Sequence, residues 1–329
     1  MSKRNNIYNE ETYKLVNQSN KDLLEDYILE LKSRNLSVKT IEQYSWDIKM
    51  MFVFIYENMD NKSILDLKKR DFRNFFLMMQ ETGKSSARIN RVQSSLRNLL
   101  AFAEDDEDEY EDYQRNIMLK VKSVPKLEVR DIVFINDEQV TYLLDYLLEK
   151  KQYQKALYLS LSYYSAARRG EVWQVEKHSF LKDGVFKTNS VTGKRAKVFP
   201  LMYSKRTQDI ARLYLEDRGE DSIDSLWVTG KGDDKRALGY ESLYNFAVSF
   251  RTILESKYNE DIPLGSHSIR HSAAEEYTQG RHHALKNMGK TNLSINELKI
   301  LLRHESIDMS NSYLKNKDEE VLDQLFGSE

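Results

Sequence analysis

Glycine and proline are scarce in this chain, 12 and 3 among 329 residues. These residues make tight turns and break helices, so a chain this poor in them reverses direction seldom. Turn-rich β architectures and the glycine-rich phosphate loops of doubly wound folds need more. Long helices are the expectation, and the fold class read from the sequence is mainly α, an α+β chain with a small β component.

Apolar residues then recur at helical spacing. Leu24, Tyr27, Ile28 and Leu31 share one face. Ser37 is placed to cap a second helix carrying Ile41, Tyr44, Ile48, Phe52 and Ile55. The spacing predicts a third helix over 69–81 and a fourth over 85–103, with Ile89, Val92, Leu96 and Leu99 inside. Four helices thus fill a domain at 21–104, after a loose arm at 1–20. Residues 104–112 hold eight acids in nine positions, a block that repels itself and reads as solvated. An acidic linker is therefore expected over 105–131, and a second domain over 132–329. There, Asn136 with Gln139 forms a capping box, and the uncharged run 156–167 suits a buried helix. Asp183-Gly184 and Thr192-Gly193 are turn signals between short strands. Ser294 and Glu297 open a helix over 295–304.

Several function classes drop out. Without cysteine there is no disulfide framework, thiolate zinc site or thiol nucleophile. No uncharged apolar run reaches the roughly 20 residues of a membrane span, and the N-terminus lacks a signal peptide's apolar core. A cytoplasmic protein is expected. The net charge of -2 seems ill suited to nucleic acid, but it is an average. With the acidic block set aside the rest of the chain carries +6. Lys84, Arg88, Arg91 and Arg97 lie in a stretch without acids, and residues 151–200 hold ten basic residues against three acidic ones. Phosphates respond to charge within a Debye length, so such local excess matters more than the total. Solvated helix faces explain either stretch equally well when it is taken alone.

Four separated pieces bear groups capable of chemistry. Arg168 and Arg169 end the uncharged run; they suit anion contact or surface ion pairing. Lys194 and Arg195 stand at a hairpin tip, where a lysine is either merely solvated or free to reach a phosphate and donate a proton. His267 and Arg270 share a helix face, with His271 beside them. An adjacent pair, His282 and His283, has no acidic residue near it in sequence and reads as surface. His304 precedes Tyr313 by nine residues, and Ser306 or Asp308 can cap the short helix between. Together, two arginines, a lysine and two histidines around a tyrosine suit in-line attack on a phosphodiester. The phenoxide displaces a 5′-hydroxyl and forms a 3′-phosphotyrosine link, the arginines neutralise the transition state, and Lys194 protonates the leaving oxygen. Neither metal nor cofactor is expected.

These pieces resemble the tyrosine recombinase (phage integrase) family: residues 166–172 its first arginine box, 192–201 its hairpin lysine segment, 267–272 its His-x-x-Arg box, and 301–313 the box leading to the nucleophile. Residues 21–103 are similar to its four-helix, SAM-like core-binding domain. The resemblance implies a core-binding clamp followed by a mostly helical catalytic domain with a small antiparallel sheet. It implies that Arg168 and Arg270 hold the scissile phosphate, Lys194 is the general acid, His267 assists proton transfer, His304 supports the phosphate and Tyr313 is the nucleophile. Glu171 would hold the first box. Lys84, Arg88, Arg91, Arg97, Arg169 and Arg195 are the candidate DNA contacts. The implied partner is double-stranded DNA with an inverted-repeat core site, bound by a tetramer joined through a C-terminal tail bearing Val321, Leu322, Leu325 and Phe326. The chain departs from the family in placing Arg303 where a glycine precedes the box histidine, in a segment at 281–292 that lengthens the step from Arg270 to His304, and in a short hairpin after Lys194. The alternatives are a DNA-binding regulator, such as a phage repressor, on the same fold, and a type IB topoisomerase-like relaxing enzyme.

Overall fold

The computed structural model describes residues 7–106, 108–125 and 133–311, and the chain divides into two units, Met1–Arg130 and Asp131–Glu329. The N-terminal unit is helical: α1 (Glu10–Lys14), α2 (Gln18–Ser33), α3 (Val38–Asn58), α4 (Lys69–Glu81) and α5 (Ser86–Asp105). Side-chain caps start most of them. Asn9, Asn17, Ser37 and Ser85 each accept from a backbone N–H of the first turn, satisfying donors the helix itself cannot. Leu23, Leu24, Ile48, Phe72, Phe75 and Leu96 form the centre of the core between them.

Two stretches differ from their sequence reading. The arm expected over 1–20 is structured from Asn9 onward. Val16 is buried, and Asn17 donates twice to Asn61, its N–H to Oδ1 at 2.9 Å and its side-chain amide to the carbonyl at 2.5 Å. The acid-rich stretch is also tied down. Tyr110 donates to Asp26 at 2.6 Å, Glu104 accepts from the Asn116 N–H at 3.0 Å, and Met118 and Val121 enter the core. The few apolar side chains among and after the acids find a helical surface, which a count of charges overlooks.

The C-terminal unit runs α6 (Asp137–Glu149), α7 (Tyr153–Ser165), α8 (Arg169–Trp173), β1 (Lys187–Thr192), β2 (Val198–Met202), α9 (Lys205–Arg218), β3 (Val228–Thr229), β4 (Arg236–Ala237), α10 (Ser242–Tyr258), α11 (Ser266–Thr278), α12 (Ala284–Met288), α13 (Ile295–Leu302) and α14 (Ile307–Asn311). The expected capping boxes at Asn136 and Ser294 both form. The uncharged run becomes α7, buried against α6, α9 and α11. β1 and β2 are an antiparallel hairpin with Thr192 opposite Val198 and Val191 opposite Phe199. Of the two expected turns only the second joins two strands. Gly184, at φ 69°, instead follows a 3₁₀ turn, Lys177–Phe180. The β3–β4 ladder pairs two residues from each strand, too few to leave an alternation in the sequence. The mainly α class with small antiparallel sheets is what the chain adopts, and among the described residues no helix is long and apolar enough to cross a membrane.

Candidate functional site

The site lies in the C-terminal unit, where four distant stretches of sequence meet. α7 ends at Ala166, a left-handed residue at φ 48°, and the chain turns into α8. Arg168 is the cap of α8. Its N–H donates to Glu171 Oε2 and its guanidinium to Oε1, both at 2.9 Å. Glu171 is 2% exposed, so this local loop of bonds fixes the arginine from the protein side. The β1–β2 loop brings Lys194 opposite. Arg168, Glu171, Gln174, Lys194, Tyr240 and His267 line one cleft of about 380 Å³.

Arg270 lies beneath, 1% exposed. Its guanidinium donates to the carbonyls of Ala166 at 2.5 Å and Leu302 at 2.7 Å. Those carbonyls end α7 and α13, where helices leave acceptors unsatisfied and present partial negative charge. Two helix ends thus supply what holds a buried cation. A third contact runs from Arg270 to His304 Nε2 at 3.1 Å. Because the guanidinium can only donate, Nε2 is the acceptor and the imidazole proton sits on Nδ1, facing Ser310 Oγ at 3.1 Å. Burial, then the Arg270 and Arg168 guanidiniums, push His304 down to about 4. His267, at the first turn of α11, is lowered by desolvation and by the same two arginines. Both histidines are neutral near pH 7.

Arg303 is the C′ residue of α13, at φ 55° and ψ 42°. The N–H of His304 bonds to Lys299 O and that of Arg303 to Ile300 O, a Schellman cap. Left-handed backbone explains why glycine suits this position, and arginine keeps the turn at a cost of about 1 kcal/mol. Its guanidinium stacks on Phe199, 3.9 Å from the ring centroid, and donates to Pro200 O at 3.3 Å, so it also fastens β2. Arg303 therefore holds the left-handed turn that precedes His304.

The remaining sequence candidates fall in different settings. Tyr313 and the tail residues Val321, Leu322, Leu325 and Phe326 lie outside the described residues. Arg169 is turned to Tyr240, stacked at 4.1 Å, and pairs with Glu241. Arg195 pairs with Glu305, beside Lys197. Lys84, Arg88, Arg91 and Arg97 belong to the other unit, and they do not form one row. Arg88 and Arg91 both pair with the buried Asp47, at 3.0 and 3.2 Å. Arg97 lies about half a turn round α5 from Arg88, given 3.6 residues per turn. The His282–His283 reading needs correction. His282 is 2% exposed, stacked between Tyr163 and Tyr277, and Asp137 accepts from His283 Nδ1 at 2.9 Å. The acidic partner comes from 146 positions away, invisible in the local sequence. His282 Nδ1 accepts from the Ala284 N–H while Nε2 faces Tyr163 O, so both nitrogens are engaged by backbone. It is a packing group.

Sequence reading missed the Ala166 and Leu302 carbonyls, Gln174, Ser310 and Glu305. The two carbonyls leave no side-chain signal at all. The others are common polar residues whose partners are set by tertiary contact.

A family model described as phage integrase, N-terminal SAM-like domain, matches residues 24–107. The chain is 24% identical over 242 residues to the SPbeta prophage-derived recombinase-like protein YomM of Bacillus subtilis, spanning 70% of this chain and 71% of that protein. Its fold is similar to that of XerH site-specific recombinase in a post-cleavage complex with palindromic difH substrate (TM-score 0.65, 16% identity, 93% of this chain and 83% of that one). It is equally similar to lambda integrase, solved as a tetramer on a Holliday junction (TM-score 0.65, 15% identity, 91% and 78%).

Proposed function

The chain belongs to the tyrosine recombinase, or phage integrase, family, and from that premise we propose that it is a site-specific recombinase of double-stranded DNA. One observation carries the reading. Arg168, Lys194 and His267 line a single cleft, with Arg270 and His304 joined directly beneath. Four stretches of sequence supply these five groups, and their chemistry suits one phosphodiester.

In this reading the Tyr313 phenol loses its proton to neutral His267 and its oxygen bonds to the scissile phosphorus. The bond from phosphorus to the 5′-oxygen breaks, the electron pair stays on that oxygen, and the Lys194 ammonium protonates it. The product is a 3′-phosphotyrosine and a free 5′-hydroxyl; the reverse sequence rejoins a strand. Arg168 and Arg270 stabilise the charge that grows on the non-bridging oxygens, the former from the cleft wall and the latter from its buried seat. His304, neutral and fixed by Ser310, keeps Arg270 oriented. In the N-terminal unit Arg88 and Arg91 meet backbone phosphates, since one carboxylate shared by two guanidiniums leaves a net positive charge. The working assembly is a tetramer on an inverted-repeat core site. The two domains of the proposal are the units Met1–Arg130 and Asp131–Glu329, with the acid-rich stretch packed onto the first.

Covalent trapping tests it. The full chain is incubated with a nicked duplex carrying the inverted repeat that it selects from a random-sequence DNA pool. A denaturant-resistant adduct is expected, absent with Tyr313→Phe. Sequence-specific binding without any adduct would leave the DNA-binding regulator as the better reading.

A further inference from the structure

We infer that Gln174 is a positioning residue that sets the general acid Lys194 against Arg168, an inference that rests on the recombinase reading above. Gln174 caps the C-terminus of α8, the helix that opens at Arg168. Its Nε2 donates to the carbonyls of Gly170 at 2.7 Å and Thr192 at 2.9 Å, and its Oε1 accepts from the Thr192 N–H at 2.9 Å. The contact with Thr192 is reciprocal, donor and acceptor together, as a neighbouring strand would offer to the end of β1. Gly170 lies two residues after Arg168 and Thr192 two residues before Lys194. One side-chain amide therefore ties together the two backbone segments that carry the phosphate-binding arginine and the proton donor.

Asn189, earlier on β1, adds bonds to Gln174 O at 3.2 Å and from the Glu176 N–H at 2.9 Å, but Gln174 makes the contact nearest Lys194. The Lys194 side chain is exposed and ends a flexible stem, so its reach depends on where its backbone sits. The 193–197 loop is closed by the Gly193 N–H on Lys197 O at 2.7 Å, a bond within the loop itself. Its link to the His304 segment is the ion pairing of Arg195 and Lys197 with Glu305, and exposed pairs of this kind hold geometry weakly. On the Arg168 side the fit is close. A Cβ on Gly193 would come within 2.7 Å of the Phe199 ring and 3.2 Å of Glu171 Oε1. Gln174 keeps that approach in register.

The test separates positioning of the acid from general damage. In the cleavage step the 5′-oxygen takes its proton from Lys194. If sulfur replaces that bridging oxygen, the departing thiolate, with a thiol pKa of about 8.5, leaves without a proton donor. Gln174→Ala and the volume-matched Gln174→Met are compared with the parent chain on the selected duplex, nicked to trap the adduct, with bridging oxygen or bridging sulfur. Both variants are expected to form the covalent adduct about 10²-fold more slowly on the oxygen substrate, the scale of loss for a misplaced catalytic group. On the sulfur substrate they should match the parent, as should Lys194→Ala, and DNA affinity should be unchanged. Adding Lys194→Ala to Gln174→Ala should slow the oxygen reaction no further than Lys194→Ala alone, because the two act through one group. Equal slowing on both substrates, or none on either, overturns the inference while leaving the recombinase reading intact. A parent chain that forms no Tyr313-dependent adduct on either substrate overturns the recombinase reading and this inference with it.

Discussion

In the N-terminal unit Asp47, fully buried, faces Arg88 and Arg91 from another helix and also accepts from Ser95 at 2.9 Å. In the C-terminal unit Glu171, equally hidden, holds Arg168 from three residues away on the same short helix. Both devices place guanidiniums at a surface while the carboxylate stays inside. They differ in what else depends on them. Asp47 links α3 to α5, so it orients the two guanidiniums proposed to meet phosphates and cements the bundle at once. Glu171 closes a local capping loop, so the fold around it has other support and its effect concentrates on one arginine. A carboxylate that bridges distant helices serves stability first; one that closes a turn serves geometry first.

That contrast can be broken by experiment. The largest effect is expected from Glu171→Ala: an adduct rate about 10²-fold lower in single-turnover trapping, with DNA affinity near that of the parent. An unchanged rate would mean that Arg168 keeps its place unaided. Asp47→Asn should do the opposite. It should lower the unfolding free energy by about 1–3 kcal/mol, because two partly buried guanidiniums lose a charged acceptor, and leave the rate at saturating DNA unaltered. Urea unfolding followed beside the cleavage assay reads both quantities, and a slower rate at saturation would erase the distinction between the units.

Acid should sharpen it further. All six histidines lie in the C-terminal unit. His304 is pushed down to about 4, and His282 to about 3 by burial and by the neighbouring His283. A histidine whose folded value lies below its ordinary 6.5 binds protons more readily when unfolded. The stability it carries is complete above 6.5 and is lost as pH falls toward 4 and then 3. The C-terminal unit should therefore melt earlier than the N-terminal one as pH drops from 7 to 4, and His304→Gln should flatten that slope. Parallel decline of both units would contradict it. The smallest effect belongs to Arg303→Gly. Relief of the left-handed backbone, about 1 kcal/mol, offsets the lost stacking on Phe199, so thermal unfolding should move by no more than a few degrees.

Much of this was legible in the sequence where interactions are local. Ser37, Asn136 and Ser294 mark helix starts because a cap and its donors lie within three residues. The arginine box and its glutamate are readable through the family resemblance, and their bond is local too. The linker at 105–131 misled because Tyr110 and Met118 find partners by tertiary packing, and the His282–His283 pair misled because Asp137, the acid bonded to His283, is far along the chain. Gln174 and the two carbonyls beneath Arg270 carry no pattern at all.

The sequence by itself determined a helical chain, through scarce turn residues and regular apolar spacing, and the order of its chemical groups. The resemblance to the family implied that Glu171 holds the first box, and the structure shows it bonded to Arg168. Only the tertiary structure decided that helix ends α7 and α13 converge on Arg270, that Asp47 receives two arginines, and that an amide ties Lys194 to the arginine box. Capping and periodicity act over a few residues and are written in order. Convergence of helix ends and of buried charges depends on how whole elements pack, and packing is a property of all the contacts together.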